Sequence, residues 1–233
     1  MSAKDESIVL KRLEEAVING DEQAAKAAAE EAADIVGPTK AINEGLAKGM
    51  AVIGEKFHNF EIFLPQVMLA ADAMKAGLEV LKSRLSKEEM ADMRKGVVVI
   101  GTVYGDIHDI GKNLVVAMLE SGGFEVHDLG VDVHPKKFVE EARKVKADII
   151  GMSSLLTSSL YYQKETVALL QDMGIREDHY VIVGGASVTT RWAEEIAADG
   201  WGKNAEDAPE LCRSLIERGR ELKKPVIKGI TSA

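Results

Sequence analysis

Val97-Val98-Val99-Ile100-Gly101-Thr102-Val103-Tyr104-Gly105-Asp106-Ile107-His108-Asp109-Ile110-Gly111 is the stretch whose reading decides the fold. A β-branched run from Val97 to Gly101 reads as a buried strand, and the apolar spacing from Ile110 to Ser121 reads as a helix. Between them lies a loop carrying glycine, aspartate and histidine. Working outward, further strand-like runs occur at Glu125 to Leu129, Asp148 to Met152 and Tyr180 to Val183, with a weaker edge candidate at Gly200 to Trp201. Helical segments from Pro135 to Val145, Leu160 to Met173 and Thr190 to Ala198 separate them, and a last helix spans Pro209 to Glu221. Such alternation predicts an α/β domain: a five-stranded, mostly parallel, doubly wound sheet of flavodoxin-like form, covered on both faces.

The first part of the chain has another period. From Ile8 to Leu85 the apolar residues recur at helical spacing and alanine is abundant. Four helices fit: Ser7 to Ile18 ending at Asn19-Gly20, Asp21 to Val36 ending at Gly37, Pro38 to about Phe57, and Pro65 to Leu85. Ile42, Leu46, Met50 and Ile53 form the inward stripe of the third helix. Val67, Met68, Ala71, Met74, Leu78 and Leu81 form that of the fourth. Short connections make this a small four-helix bundle. The charged segment from Ser86 to Lys95 separates the two periodicities, so the expected domains are a helical cap at 1–90 and an α/β domain at 91–233.

Composition narrows the functions. Lys and Arg total 29 against 38 Asp and Glu, a net charge of −9, with no local basic cluster, so nucleic acid is not an expected partner. One cysteine, Cys212, excludes an internal disulfide framework and any multi-thiolate metal site; it reads as a small buried residue. The charged N-terminal stretch has no apolar core and no run of about 18 apolar residues occurs, so no membrane partner is expected and the expected location is cytoplasmic.

In a doubly wound sheet, ligands bind beyond the carboxyl ends of the strands where the winding reverses. Three segments are expected there: Tyr104 to Gly111, the hydroxyl-rich run containing Ser153, Ser154, Leu155, Thr157, Ser158 and Ser159, and Gly184-Gly185-Ala186-Ser187. Neither a dinucleotide fingerprint nor a phosphate-binding loop is present, so a large and mostly neutral ligand suits this edge better. Asp106 and His108 form the kind of carboxylate–histidine pair that orients an imidazole on a metal. An isolated pair of this spacing is more often a helix-capping aspartate beside an incidental histidine. One imidazole cannot complete a zinc site, so any metal must bring its other ligands with it, as a macrocycle-bound metal does.

Asp106-x-His108-x-x-Gly111, then Ser153-x-Leu155, then Gly184-Gly185, resembles the fingerprint of cobalamin-binding domains in which a protein histidine displaces the cofactor's own base. Gly54-Glu55-Lys56-Phe57 and Phe63-Leu64-Pro65-Gln66-Val67 are similar to the helical cap that precedes that domain in cobalamin-dependent methionine synthase. At two-domain length, the chain resembles the free-standing corrinoid proteins of methanogen and acetogen methyltransferase systems. The resemblance implies a cobalamin or related corrinoid as cofactor, with His108 as the lower axial cobalt ligand, Asp106 as its hydrogen-bonded partner and Ser159 as the next member of a relay. It also implies that Ser153, Leu155, Gly184 and Gly185 line a channel for the displaced nucleotide tail, that Gly111 permits close passage, and that Phe57 and Leu64 cover the upper face.

The function implied is that of a methyl carrier, not catalytic alone, loaded on cobalt by a substrate-specific methyltransferase. A second methyltransferase with a thiol or tetrahydrofolate (pterin) acceptor would unload it, and a reductive activator would restore the reduced cobalt. Methylamines, betaines, methanol and methoxylated aromatics are all possible donors, methylated amines being favoured. The cap would have to swing aside on the Ser86 to Lys95 segment. His58, His127, His134 and His179 are expected on the surface or in loops, and Met50, Met68 and Met74 in the bundle core. The alternatives are a cobalamin-based sensor or regulator, a mutase subunit and a phosphoacceptor domain. The first 85 residues carry no basic recognition helix, and the acidic pair of Asp106 with Asp109 is a poor phosphoacceptor match.

Overall fold

The computed structural model describes residues 3–86, 89, 95–218 and 226–228. The chain divides into two compact units, Met1–Arg94 and Lys95–Ala233. The segment expected as a linker, Ser86 to Lys95, lies largely outside the described residues, as does the expected end of the last helix beyond Arg218.

The first unit is helical: α1 (Ala3–Ile18), α2 (Glu22–Ile35), α3 (Pro38–Ala41), α4 (Ala47–His58) and α5 (Leu64–Lys82). Gly20, with φ of +67°, ends α1, and the Asp21 carboxylate caps α2 by accepting from the Ala24 amide at 2.9 Å. The third expected helix is interrupted. A π turn over Ile42–Leu46 joins α3 to α4. The apolar stripe of Ile42, Leu46, Met50 and Ile53 stays buried across it, so the periodicity gives no sign of the insertion. Alanines join the larger apolar residues of the interior: Ala25, Ala29, Ala32, Ala70 and Ala73 are fully enclosed, which lets the helix backbones approach closely. Met68 departs from expectation and is half exposed. The buried stripe of α5 runs Val67, Ala70, Met74, Gly77, Leu81, and Met68 lies one step, about 100°, off it.

The second unit is an all-parallel sheet in the order β2-β1-β3-β4-β5-β6. Its elements are β1 (Val97–Thr102), α6 (Ile110–Ser121), β2 (Glu125–Asp128), α7 (Pro135–Val145), β3 (Ile149–Ser153), α8 (Leu160–Asp172), β4 (Tyr180–Gly184), α9 (Thr190–Glu195), β5 (Gly200–Gly202), α10 (Ala208–Arg218) and β6 (Val226–Lys228). The five expected strands are present, and β6 adds a sixth at the edge, so Gly200 and Trp201 are interior rather than marginal. Every residue of β1 is buried, because helices cover both faces, and that explains its unbroken apolar run. On one face Val97, Val99, Ile150, Met152, Val181 and Val183 pack with Phe138 of α7 and Leu170 of α8. On the other, Val98, Ile100, Ile149 and Ile182 pack with Leu119 of α6 and Leu211, Cys212 and Leu215 of α10. Burial raises the Cys212 thiol to about 12, which leaves it a packing residue. His179 is not a surface residue: it is buried, and its Nδ1 donates to the Ala147 carbonyl at 2.6 Å.

Phe138 has no exposed surface, and a Cβ at Gly101 would lie only 3.0 Å from its ring. Phe138→Ala should cost about 3–5 kcal/mol in urea unfolding, whereas Met68→Ala should change stability by less than about 1 kcal/mol.

Candidate cofactor site

The winding of the sheet reverses between β1 and β3, because β2 pairs with β1 on one side and β3 with it on the other. Beyond the carboxyl ends of these two strands, the loop 103–109 faces the loop 154–159, and one carboxylate joins them. Asp106 is fully buried. Its Oδ1 accepts from the His108 amide at 3.0 Å and from His108 Nδ1 at 2.7 Å. Its Oδ2 accepts from the amides of Leu155 at 2.7 Å and Leu156 at 3.2 Å, and from the Ser159 hydroxyl at 3.2 Å. Burial alone would raise this carboxyl, but the backbone and ring of His108 and the amides of Leu155 and Leu156 outweigh it and lower it from 3.8 to about 2.

Because Asp106 holds Nδ1 of the ring, Nε2 is the nitrogen left to bind a ligand. The His108 side chain is 49% exposed, in contrast to its enclosed partner. Around it the surface is apolar: Ile107 is 73% and Ile110 65% exposed, and Leu155 and Leu156 are also uncovered. Ser159 sits at the start of α8, its Oγ 2.7 Å from Ser154 Oγ and 2.9 Å from the Leu156 carbonyl oxygen. Each hydroxyl has one proton to give, so a Ser159 proton directed at Asp106 leaves the Leu156 carbonyl to Ser154, which lies 3.0 Å from it.

The expected residues are brought together unequally. Asp106, His108, Leu155 and Ser159 meet at the switch point, although Leu155 takes part through its amide. Ser153 is the last residue of β3, in register with Thr102 and Gly184. Gly184 ends β4 and Gly185 follows it, and both lie against Ser154, whose amide donates to the Gly184 carbonyl at 3.0 Å. A Cβ on Gly185, where φ is +110°, would fall 2.0 Å from the Ser154 carbonyl oxygen. Gly184 and Gly111 border open space, with nothing within 4 Å of where a Cβ would stand. Phe57 and Leu64 are half buried at the ends of α4 and α5 in the helical unit. Ser154, expected at this edge but given no role, is buried within the hydroxyl network; the Leu156 amide is missed by the sequence reading. One signal for Ser154 was its place directly before the apolar pair in the hydroxyl-rich run.

These features fit a corrinoid. Among the described residues, no group of three or more His, Cys, Asp or Glu side chains could hold a metal ion, so a metal here must come with most of its own ligands. One oriented imidazole has a single nitrogen to offer such a metal. The apolar lip suits the flat face of a macrocycle, and the open sides of Gly184 and Gly111 leave room for an extended tail.

The family model described as a B12 binding domain matches residues 96–210, and another of the same description matches residues 9–82. Dimethylamine corrinoid protein 1 of Methanosarcina acetivorans is 47% identical over 208 residues, 89% of this chain and 97% of that protein. The chain belongs to the corrinoid protein family. Dimethylamine corrinoid protein 1 of Methanosarcina mazei is 45% identical over 93% of this chain and 99% of its own length. The methanol:cobalamin methyltransferase complex of Methanosarcina barkeri contains a chain that superposes with a TM-score of 0.81 at 30% identity, covering 94% of this chain and 82% of that one. As a corrinoid protein, the chain binds cobalamin or a related corrinoid and is a methyl carrier whose partners include a methyltransferase; a sensor role is not favoured. Among the described residues no helix is long and apolar enough to cross a membrane.

Asp106 has a folded-state value below its unfolded one, so the stability it contributes is full above about pH 4 and is lost as pH falls through about 2. A shift from 3.8 to about 2 corresponds to roughly 2 kcal/mol. In urea titrations the difference between wild type and Asp106→Asn should be about that size near neutrality and shrink steadily below pH 4. Gly185→Ala should destabilise the chain by at least about 3 kcal/mol, because strain at positive φ adds to the clash with the Ser154 backbone, while Gly184→Ala should change stability in urea by less than about 0.5 kcal/mol and weaken uptake of cobalamin.

Proposed function

We propose that this methyl carrier serves methylated amines and binds its corrinoid through His108 as the lower axial ligand. The observation that carries the ligand assignment is the imidazole held at Nδ1 by a buried carboxylate on an exposed apolar lip. When bound, the corrinoid supplies a cobalt centre that takes up a methyl group and hands it on. The chain's own residues do the rest. His108 offers Nε2, Asp106 keeps the ring in one orientation and holds the proton at Nδ1, and Ser159 adjusts the charge on Asp106 by donating to Oδ2. Proton uptake and release at this relay would accompany loss and gain of the bond through Nε2.

Ser153, Leu155, Gly184 and Gly185 are read as walls of the channel for the nucleotide tail, and Gly111 as its close-approach point. Support comes from the open side of Gly184 and the enforced contact of Gly185 with Ser154. Phe57 and Leu64 are read as cap residues for the upper face. In support, the turn between α4 and α5 leaves Phe60 and Phe63 strongly exposed, an apolar surface within the helical unit. The helical unit at 1–90 and the α/β unit at 91–233 are read as cap and cofactor domains.

The choice of donor rests on the relatives named for dimethylamine, which are more similar to this chain than the methanol system is. A second methyltransferase with a thiol or pterin acceptor and a reductive activator complete the system, in the cytoplasm. Reconstitution tests this reading. Protein loaded with methylcobalamin should show the visible spectrum of a nitrogen-ligated form, and His108→Ala should convert it to the base-off spectrum and slow methyl transfer at least about tenfold. An unchanged spectrum in the variant overturns the ligand assignment. Loading by a methanol-specific enzyme, but by none of the methylamine-specific ones, overturns the donor.

A further inference from the structure

The relay through Asp106 accounts for the orientation of the imidazole but leaves open what holds the peptide that carries it. Two buried polar side chains outside the relay are tied to that peptide, Thr102 directly and Lys112 through Asn113 and Asp109. Thr102, the last residue of β1, is fully buried, and its hydroxyl donates to the His108 carbonyl at 2.9 Å. Its own amide donates to the Gly130 carbonyl at 3.0 Å, so it ties the histidine loop to the loop after β2. Lys112, in the first turn of α6, has a side chain only 1% exposed. Its Nζ donates to Asp128 Oδ2 at 2.6 Å and to Asn113 Oδ1 at 2.6 Å. Asn113 Nδ2 in turn donates to Asp109 Oδ2 at 3.2 Å, next to His108, and Asp128 Oδ1 accepts from the Gly130 amide at 2.9 Å. The contacts close a circuit from the His108 carbonyl through Thr102, Gly130, Asp128, Lys112 and Asn113 back to Asp109. None of these hydrogen bonds involves the Asp106 side chain.

We infer that Thr102 and Lys112 are positioning residues that clamp the His108 peptide to the ends of β1 and β2 and so set how far the imidazole stands above the sheet. An enclosed ammonium is costly unless paired, and an apolar residue would fill the same volume more cheaply, so its presence here calls for a positional task. The division of labour follows from the geometry. Asp106 controls rotation of the ring, and the clamp controls its reach. Reach matters because an axial bond forms only over a narrow range of metal–nitrogen distance. The inference rests on His108 being the axial ligand.

Thr102→Val removes the hydroxyl and keeps the branched shape; Thr102→Ser keeps the hydroxyl. The full chain of each variant is loaded with cobalamin, and the ratio of nitrogen-ligated to unligated cofactor is read from visible absorption and from nitrogen splitting in the cobalt(II) resonance. Amide exchange of residues 108–111 is measured without cofactor. Thr102→Val should lower the ligated-to-unligated ratio about threefold to tenfold, the effect of losing one buried neutral hydrogen bond, and should speed exchange in the loop. Thr102→Ser should restore both. Asp128→Asn should move the ratio and the exchange in the same direction by weakening the hold on Lys112. The clamp is overturned if Thr102→Val leaves ratio and exchange unchanged, or if Thr102→Ser is as impaired as Thr102→Val. Should Thr102→Val not fold, Asp128→Asn decides, and unshifted values there overturn it. A wild-type spectrum without nitrogen ligation would sink the axial assignment instead, and the exchange measurement would still judge the clamp.

Discussion

A single enclosed carboxylate holds the functional edge of this protein together. Asp106 lies between two loops that belong to different strands, and it accepts from both. An unpaired carboxylate in that position would be strongly disfavoured, so the loops must bring enough donors to it or part. They bring five. The same contacts that keep the group charged also select the tautomer and direction of the His108 ring, so one set of hydrogen bonds joins the two loops and aims the imidazole.

The topology explains why those donors converge. With β1 and β3 adjacent and parallel, the loops leaving them emerge side by side at the same end of the sheet. The strands themselves are buried on both faces and supply a rigid floor. Polar groups are gathered beneath the edge, in Asp106, Ser154, Ser159, Thr102 and Lys112, all of them enclosed. Large apolar side chains lie above it. This layering, polar below and apolar above, suits a macrocycle that lays a flat ring face on the lip and turns its central metal towards an oriented imidazole.

Much of this was legible from residue order, for reasons that can be named. The Val97 to Thr102 run and its loop are legible because a buried parallel strand has no alternation to obscure, and α6 and α7 appear at Ile110–Ser121 and Pro135–Val145, the limits read from the sequence. The Asp106–His108 pair is legible through its company, because the isolated spacing is usually incidental and only Gly111, Ser153-x-Leu155 and Gly184-Gly185 beside it set it apart. Elsewhere the information is not local. β6 has three residues and exists through pairing with β5, and the π turn at Ile42–Leu46 leaves the apolar stripe intact. Met68 and His179 were misplaced because a helix's exact rotation and a loop's depth depend on packing partners far along the chain. Ser154 and Ser159 cannot be told from Ser153 and Ser158 by composition. Only the path of the loop decides which hydroxyl turns inward.

The β3 loop contributes to the anchor with main-chain amides, which every residue except proline possesses. The identities of Leu155 and Leu156 are therefore decoupled from the hold on the carboxylate. Natural variation at these two positions can reshape the rim, for a bulkier ring substituent or for a different docking enzyme, while the His108 ring keeps its aim. Diversification within such carriers has an inexpensive route in two side chains that stand at the surface and bear none of the structural load.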